Sequence, residues 1–203
     1  MFDALLRPVI DPPLNGIGRV LARAGLTANQ LTIVAVVVGF ANVAALSYGN
    51  TVLAIGLIML NRLLDGLDGA VARVRGPSDL GGYLDIVCDF IFYTGVPVGF
   101  AIADPANALA AAVLLATFTV TGVSFLAYAA VAAKLGREST AHGRKSFFYS
   151  TGLAEGTETI VVFLAMCLWP AAFTTIAYIY AGLCVLTVMQ RSMLAWRDFR
   201  AQP

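Results

Sequence analysis

Residues 61–90, "NRLLDGLDGAVARVRGPSDLGGYLDIVCDF", hold four aspartates between apolar runs, "VLAIGLIML" before them and "FIFYTGVPVGF" after. Asp65 and Asp68 are three apart, with Ala72 four further on, so they share one face of a helix. Asp85 and Asp89 are four apart and share a face likewise. The joining segment "RGPSDLG", with Pro77 and flanking glycines, reads as a tight reversal. Two helices joined so closely pack antiparallel, and all four carboxylates then converge in one polar cavity. Converging carboxylates repel one another and lose hydration, so protons or cations must neutralise them. Oxygen-only ligands suit a hard cation, Mg²⁺ or Mn²⁺, in number enough for two ions. Gly66, Gly69, Ala70 and Ala72 leave room for a bulky group, and the Arg73 guanidinium suits a pair of phosphate oxygens. These residues point to metal-dependent phosphoryl transfer. The plainer reading is interfacial helix-end carboxylates neutralised by arginines; two matched helical spacings beside glycines argue against it.

The elements that position this site must be membrane helices. Of 203 residues, 59% are hydrophobic and only 12% charged, against about a quarter charged in a soluble domain. Mean hydropathy is +0.82. A net charge of +1 gives no basic field for nucleic acid. A span needs about 20 mostly apolar residues, and that measure gives six, roughly 28–48, 51–74, 81–103, 106–134, 151–169 and 172–194. The expected fold is therefore all-α and polytopic, one membrane domain over residues 1–203. All 13 Lys and Arg residues fall on or near one side of such a layout. The opposite loops, "YGNT", "ADPAN" and "WPAA", have none, so both termini and the aspartates are expected at the cytoplasmic face. Residues 1–26 mix Leu5, Leu6, Val9, Ile10, Leu14, Ile17, Val20 and Leu21 with Arg7, Arg19 and Arg23. They read as one or two amphipathic pieces along the interface, broken at Pro12-Pro13, or else as a disordered lead-in. They lack the sustained apolar stretch of a cleavable signal peptide. Cys88, Cys167 and Cys184 lie in apolar segments and read as small buried residues, not disulfides or ligands.

The aspartate stretch resembles the signature of the CDP-alcohol phosphatidyltransferases, D-x-x-D-G-x-x-A-R followed by G-x-x-x-D-x-x-x-D. It is met here by Asp65, Asp68, Gly69, Ala72 and Arg73, then Gly81, Asp85 and Asp89, with Gly82 the alternative to Gly81 because the spacer "VRGPSDL" is one residue short. The "NRLLDGLDGA" run and a "KSF-Y" loop resemble a bacterial inner-membrane branch of that family. The resemblance implies attack by an alcohol on a CDP-linked lipid, usually CDP-diacylglycerol, giving a phosphodiester and CMP. It implies that Asp65, Asp68 and Asp85 hold the metals, with Asp89 at or near the second one and acting as general base. Gly69 and Ala72 would admit the cytidine part and Arg73 would help hold the diphosphate. It also implies a homodimer.

Residues that could choose the acceptor follow span 4. Arg137, His142, Arg144 and Lys145 could bind a phosphate on the acceptor, as in glycerol 3-phosphate or inositol phosphate, or could merely satisfy the charge rule. Glu155 and Glu158, with Thr157 and Thr159, open span 5, where carboxylates are costly unless paired or facing water. They read as a wall of the acceptor pocket or as ion-pair partners of Arg62, Arg73 or Arg144. Asn29 and Thr32, in "LTANQLT", are candidates for the nucleotide, with capping by Thr27 an equal explanation for that cluster. Asn61 and Arg62 sit one turn before Asp65, behind the ligands. Phe147, Phe148, Tyr149, Trp169 and Trp196 read as interfacial anchors, and Gly95, Gly99 and Gly122 as close helix contacts.

Two other functions compete. A transferase using a soluble CDP-alcohol donor and a lipid acceptor would need no lipid-open groove beside Asp65. A divalent-cation transporter would need carboxylates near mid-membrane and polar residues continuing across, whereas the outer halves here are apolar.

Overall fold

A computed structural model of the chain describes residues 3–135 and 152–200. These form α1 (Asp3–Arg23), α2 (Ala28–Ser47), α3 (Thr51–Arg75), α4 (Asp79–Ala103), α5 (Ala108–Lys134), α6 (Gly156–Leu168) and α7 (Phe173–Arg200). Short 3-10 turns at Pro105–Asn107 and Pro170–Ala172 lead into α5 and α7. No strand occurs among the described residues.

Four segments are long and apolar enough to cross a membrane: Ala28–Ser47, Asp79–Ala103, Pro105–Lys134 and Pro170–Arg200. The expectation of six also included α3 and α6. α3 has 25 residues, but its second half carries Arg62, Asp65, Asp68, Arg73 and Arg75. α6 has 13 residues and starts at Gly156, later than the sequence suggested, because Gly152–Glu155 are non-helical. Outward-facing side chains such as Val37, Phe40, Val52, Leu109, Val123 and Ile179 are exposed and apolar. So large an apolar exterior fits lipid, not water.

Two of the tight turns share one design. After α1, Gly25 takes φ +94°, Leu26 N–H donates to Leu21 O and Gly25 N–H to Ala22 O. Gly49, at φ +72°, ends α2 with the same pair of bonds, from Asn50 N–H to Ala45 O and from Gly49 N–H to Leu46 O. A left-handed residue lets the last carbonyls be satisfied, and glycine adopts it without a Cβ penalty. The α3–α4 reversal uses Gly76 at φ +96°, followed by Pro77 and by Ser78, whose hydroxyl caps Gly81 N–H at 3.0 Å.

α2 packs against both α3 and α4, α5 against α7, and α1 against α3. The main core stacks Leu46, Ile58, Phe92, Phe118, Phe163 and Tyr180. A smaller cluster of Ala22, Leu31, Leu67 and Val71 seals α1 and α2 over α3. Glycines let the helices close in, as the sequence suggests. A Cβ at Gly95 would lie 2.7 Å from the Val43 side chain, and one at Gly122 2.2 Å from the Phe90 ring. At Gly99 it would meet Leu46 Cβ at 2.7 Å and Val43 O at 3.2 Å, atoms that cannot swing aside. Gly99→Ala is expected to cost about 1–3 kcal/mol, read as an earlier thermal unfolding transition in detergent.

The N-terminal segment differs from expectation in one respect. α1 is continuous through Pro8, Pro12 and Pro13 instead of breaking at Pro12-Pro13. All three prolines are exposed, so the carbonyls that lose their partners lie where solvent can replace them. The opposite side of α1 is braced on α3, with Leu14 against Gly66 and Gly18 against Ala70.

Candidate metal and phosphoryl-transfer site

The last turns of α3 and the first of α4 bring the signature residues together at one end of the bundle. Carboxylate oxygens of Asp65, Asp68 and Asp85 all lie within 4.8 Å of one another. Asp68 is buried, Asp65 half-buried and Asp85 exposed, so the group grades from the interior to the surface. A cleft opens on these residues and on Asp89, lined behind by Thr32 and Cys88. The donor set consists of oxygens close enough to share one ion, and it fits a hard divalent cation.

α2 supplies the support for Asp68. Thr32, itself buried, donates its hydroxyl to Asp68 Oδ2 at 2.6 Å. The sequence offered Thr32 to the nucleotide; in the structure it lines the cleft and its hydroxyl orients a carboxylate. Partners of this kind typically tune metal affinity 10- to 100-fold, so Thr32→Val is expected to weaken Mn²⁺ binding by about 10-fold or more, measured by titration. Thr27 does cap α2: its hydroxyl accepts from Gln30 N–H, and the Gln30 side chain returns the bond to Thr27 N–H. Asn29 reaches across to α4, where its Oδ1 would lie 3.3 Å from a Cβ at Gly81. Any side chain at position 81 would crowd both Asn29 and the Ser78 cap.

Asp89 is held differently from the other three aspartates. Arg62 Nη1 lies 2.9 Å from Asp89 Oδ1 and 3.6 Å from Asp65 Oδ2. The guanidinium sits over the Phe92 and Tyr93 rings, 4.6 and 5.3 Å from their centroids, and donates to Tyr93 Oη at 3.2 Å. Its Nε and Nη2 both donate to Asn61 Oδ1. Asn61, 2% exposed, is itself fixed by donating to Ala35 O at 2.7 Å. Asn61 and Arg62 thus stand behind the ligands as expected. The sequence reading did not single out Tyr93, although it lies four residues past Asp89 and so on the same face.

Arg73 is exposed beside Gly69, and its Nε donates to Asn15 Oδ1 of α1 at 2.9 Å. Asn15 was not anticipated, since only the docking of α1 on α3 brings it near the signature. Gly69 and Ala72 are half-buried, and neither lines the cleft itself.

The acceptor candidates divide. Arg137, His142, Arg144, Lys145, Phe147, Phe148 and Tyr149 lie outside the described residues. Glu155 is 8% exposed and its Oε1 accepts from Gly152 N–H at 2.7 Å, closing the turn into α6. Glu158 is half-buried one turn later. Neither lines the cleft of the aspartates, and the suggested partners Arg62 and Arg73 are engaged by Asp89 and Asn15. Thr159 bonds the Tyr180 hydroxyl at 2.7 Å. Thr187 accepts from Leu153 and Ala154 N–H, and Arg191 donates to Thr121 O. Thr187, four residues before Arg191 on α7, was not singled out, and Arg191 entered the sequence reading only as one of the 13 basic residues. Cys167 and Cys184 are buried, as expected, whereas Cys88 is only half-buried beside the cleft.

A family model described as CDP-alcohol phosphatidyltransferase matches residues 25–190. Inner membrane protein YnjF of Escherichia coli is 48% identical over 192 residues, 94% of this chain and 93% of that protein. Archaetidylinositol phosphate synthase of Pyrococcus horikoshii is 31% identical over 192 residues, 92% of each. Among solved structures, phosphatidylinositol phosphate synthase of Mycobacterium tuberculosis with CDP-DAG bound is similar, with TM-score 0.71 and 25% identity, covering 90% of this chain and 93% of that one. The same enzyme in complex with manganese and citrate gives TM-score 0.73 at 25% identity, covering 90% and 88%.

Proposed function

The chain belongs to the CDP-alcohol phosphatidyltransferase family, and from that premise we propose that it transfers a phosphatidyl group from CDP-diacylglycerol to a polar alcohol, releasing CMP. The observation that carries this reading is the convergence of Asp65, Asp68 and Asp85 within 4.8 Å at the mouth of a cleft. The likeness to a synthase solved with CDP-DAG bound supports the choice of donor. A bound Mg²⁺ or Mn²⁺ would neutralise the diphosphate and the charge on departing CMP. Asp65, Asp68 and Asp85 would hold it; a second ion would need Asp89 free of Arg62.

The chain's own residues account for the remaining work, which is positioning and proton transfer. Arg73, steadied by Asn15, faces the donor diphosphate, while Gly69 and Ala72 let the nucleotide approach the backbone beside Asn29 and Gly81. Asp89 takes the proton of the acceptor hydroxyl as its oxygen attacks the lipid-bearing phosphorus. The new P–O bond forms as the P–O bond to CMP breaks. The acceptor class we favour is a phosphorylated alcohol such as glycerol 3-phosphate or inositol phosphate, for which Arg137, Arg144, Lys145, Glu155 and Glu158 are the candidate binding residues. The relatives include an archaetidylinositol phosphate synthase and a phosphatidylinositol phosphate synthase, which supports the phosphorylated class.

The same reading gives the chain six spans in a single domain, with α3 and α6 joining the four long apolar helices. α1 lies along the cytoplasmic surface, and both termini and the site face the cytoplasm. The membrane is a bacterial inner membrane, the location in the name of YnjF, and the working unit is a homodimer. The test is CMP release by the purified protein in lipid micelles. CDP-diacylglycerol, Mg²⁺ or Mn²⁺ and a panel of glycerol 3-phosphate, inositol phosphate, serine and phosphatidylglycerol are supplied. CMP that appears with one acceptor names the alcohol. Failure to bind CDP-diacylglycerol at all would remove the donor assignment and favour a soluble CDP-alcohol donor.

A further inference from the structure

We infer that Asn42 and Asn61 are positioning residues: as two buried rungs they fix the register of α2 against α3 and so hold Asp68 at Thr32. What this register serves rests on the metal-dependent reading above; the rungs themselves do not.

Asn42, fully buried in the second half of α2, donates from Nδ2 to Ala54 O of α3 at 2.9 Å. Asn61, buried on α3, makes the opposite bond, from Nδ2 to Ala35 O of α2 at 2.7 Å. The bonds are reciprocal across the antiparallel pair: seven residues separate Asn42 from Ala35, and seven separate Asn61 from Ala54. Seven residues further along α3 stands Asp68, which accepts from Thr32. The Thr32 hydroxyl lies 3.1 Å from Ala28 O, seven residues before Ala35. The third rung of one ladder is therefore the buried carboxylate of the site.

Apart from Asn42, residues 33–46 of α2 are apolar. Between helices in lipid, burial of such side chains favours no single alignment, since lipid is as apolar as they are. Asn42 Oδ1 meets no partner among the described residues, so this amide carries a desolvation cost that leucine would avoid. A buried asparagine that fixes helix register at a cost in stability is the best-attested use of such a residue. A one-turn slip would break both amide bonds and carry Asp68 about 5.4 Å from its place beside Thr32. Asn61 also holds Arg62, whereas the Asn42 rung lies about 21 Å along α3 from Asp68. Asn42 can therefore reach the site only through register.

Thermal unfolding of the full chain in detergent, without metal, tests this by a cycle of two substitutions. Effects at sites so far apart add unless the sites are coupled. Thr32→Val is expected to lower the melting temperature, and the drop should shrink by about half or more once Asn42→Leu is present. Asn42→Ala combined with Ala54→Asn moves the donor to α3, giving a rung of the Asn61–Ala35 kind, and should restore the full drop. Additive effects would overturn the inference. Should Asn42→Leu fail to fold, the moved rung decides alone: a full Thr32→Val drop supports register, and a reduced one overturns it. Mn²⁺ titration reads the consequence. Asn42→Leu is expected to weaken binding by about 3- to 10-fold, although it touches no ligand, and the moved rung to recover it. Unchanged affinity in Asn42→Leu would overturn the positioning role. A wild type that binds no Mn²⁺ would instead remove the metal reading, and the metal-free cycle would still decide the register.

Discussion

Asp89→Asn is expected to lower acceptor-dependent CMP release by about 10²- to 10⁴-fold, the range typical for loss of a general base. The substitution keeps the shape of the side chain and leaves an amide oxygen to accept from Arg62. It removes the ability to take a proton from the acceptor hydroxyl. Because Asp89 is held by Arg62 and is not one of the three grouped carboxylates, the loss should appear in kcat, with the KM for CDP-diacylglycerol little changed. Initial rates at saturating donor and several acceptor concentrations separate the two parameters. A loss of under about 10-fold would remove Asp89 from proton transfer. A donor KM raised in proportion would instead mark it as part of the diphosphate-binding group.

Helical spacing in the sequence already sets Asp65 with Asp68 and Asp85 with Asp89, and Gly76-Pro77 marks the reversal that brings the pairs face to face. Periodicity puts residues on faces; it does not say how two faces are rotated against each other. That rotation decides that Asp85 joins Asp65 and Asp68 while Asp89 turns to Arg62. It is set by packing, with α2 drawn against α4 where Gly95 and Gly99 admit Val43 and Leu46. The continuous path of α1 was illegible for a related reason. Proline chemistry predicts a break at Pro12-Pro13, and only the bracing of Leu14 and Gly18 on α3 shows why the helix continues. Asn15 beside Arg73, 58 residues apart in sequence, follows from that docking and from no local pattern. Glu155 was legible as a carboxylate opening a span, but its bond to Gly152 N–H follows from the turn into α6 and from no local pattern.

Asp68→Asn should separate stability from function most sharply. Asp68 is 5% exposed and packs its carboxylate beside Asp65 and Asp85. Two ionised carboxylates at that range repel by roughly 3–4 kcal/mol in a medium of effective dielectric near 20, partly offset for Asp65 by Arg62. Without metal, those carboxylates that are ionised repel one another, and an arriving dication would relieve that repulsion. An asparagine keeps the Thr32 bond, since its amide oxygen can accept from the hydroxyl. It also removes one of the repelling charges. The melting temperature in metal-free buffer is therefore expected to rise, by about 2–5 °C. The same change strips a buried ligand from the ion, so Mn²⁺ affinity should fall by roughly 100-fold or more, and CMP release should become undetectable. Added Mn²⁺ should raise the melting temperature of the wild type and hardly move that of the variant. A variant destabilised without metal would make Asp68 a structural carboxylate whose charge the fold requires. The combination of a more stable protein with a lost reaction is what a site built from mutually repelling ligands predicts, because the charge that costs stability is the charge that holds the ion.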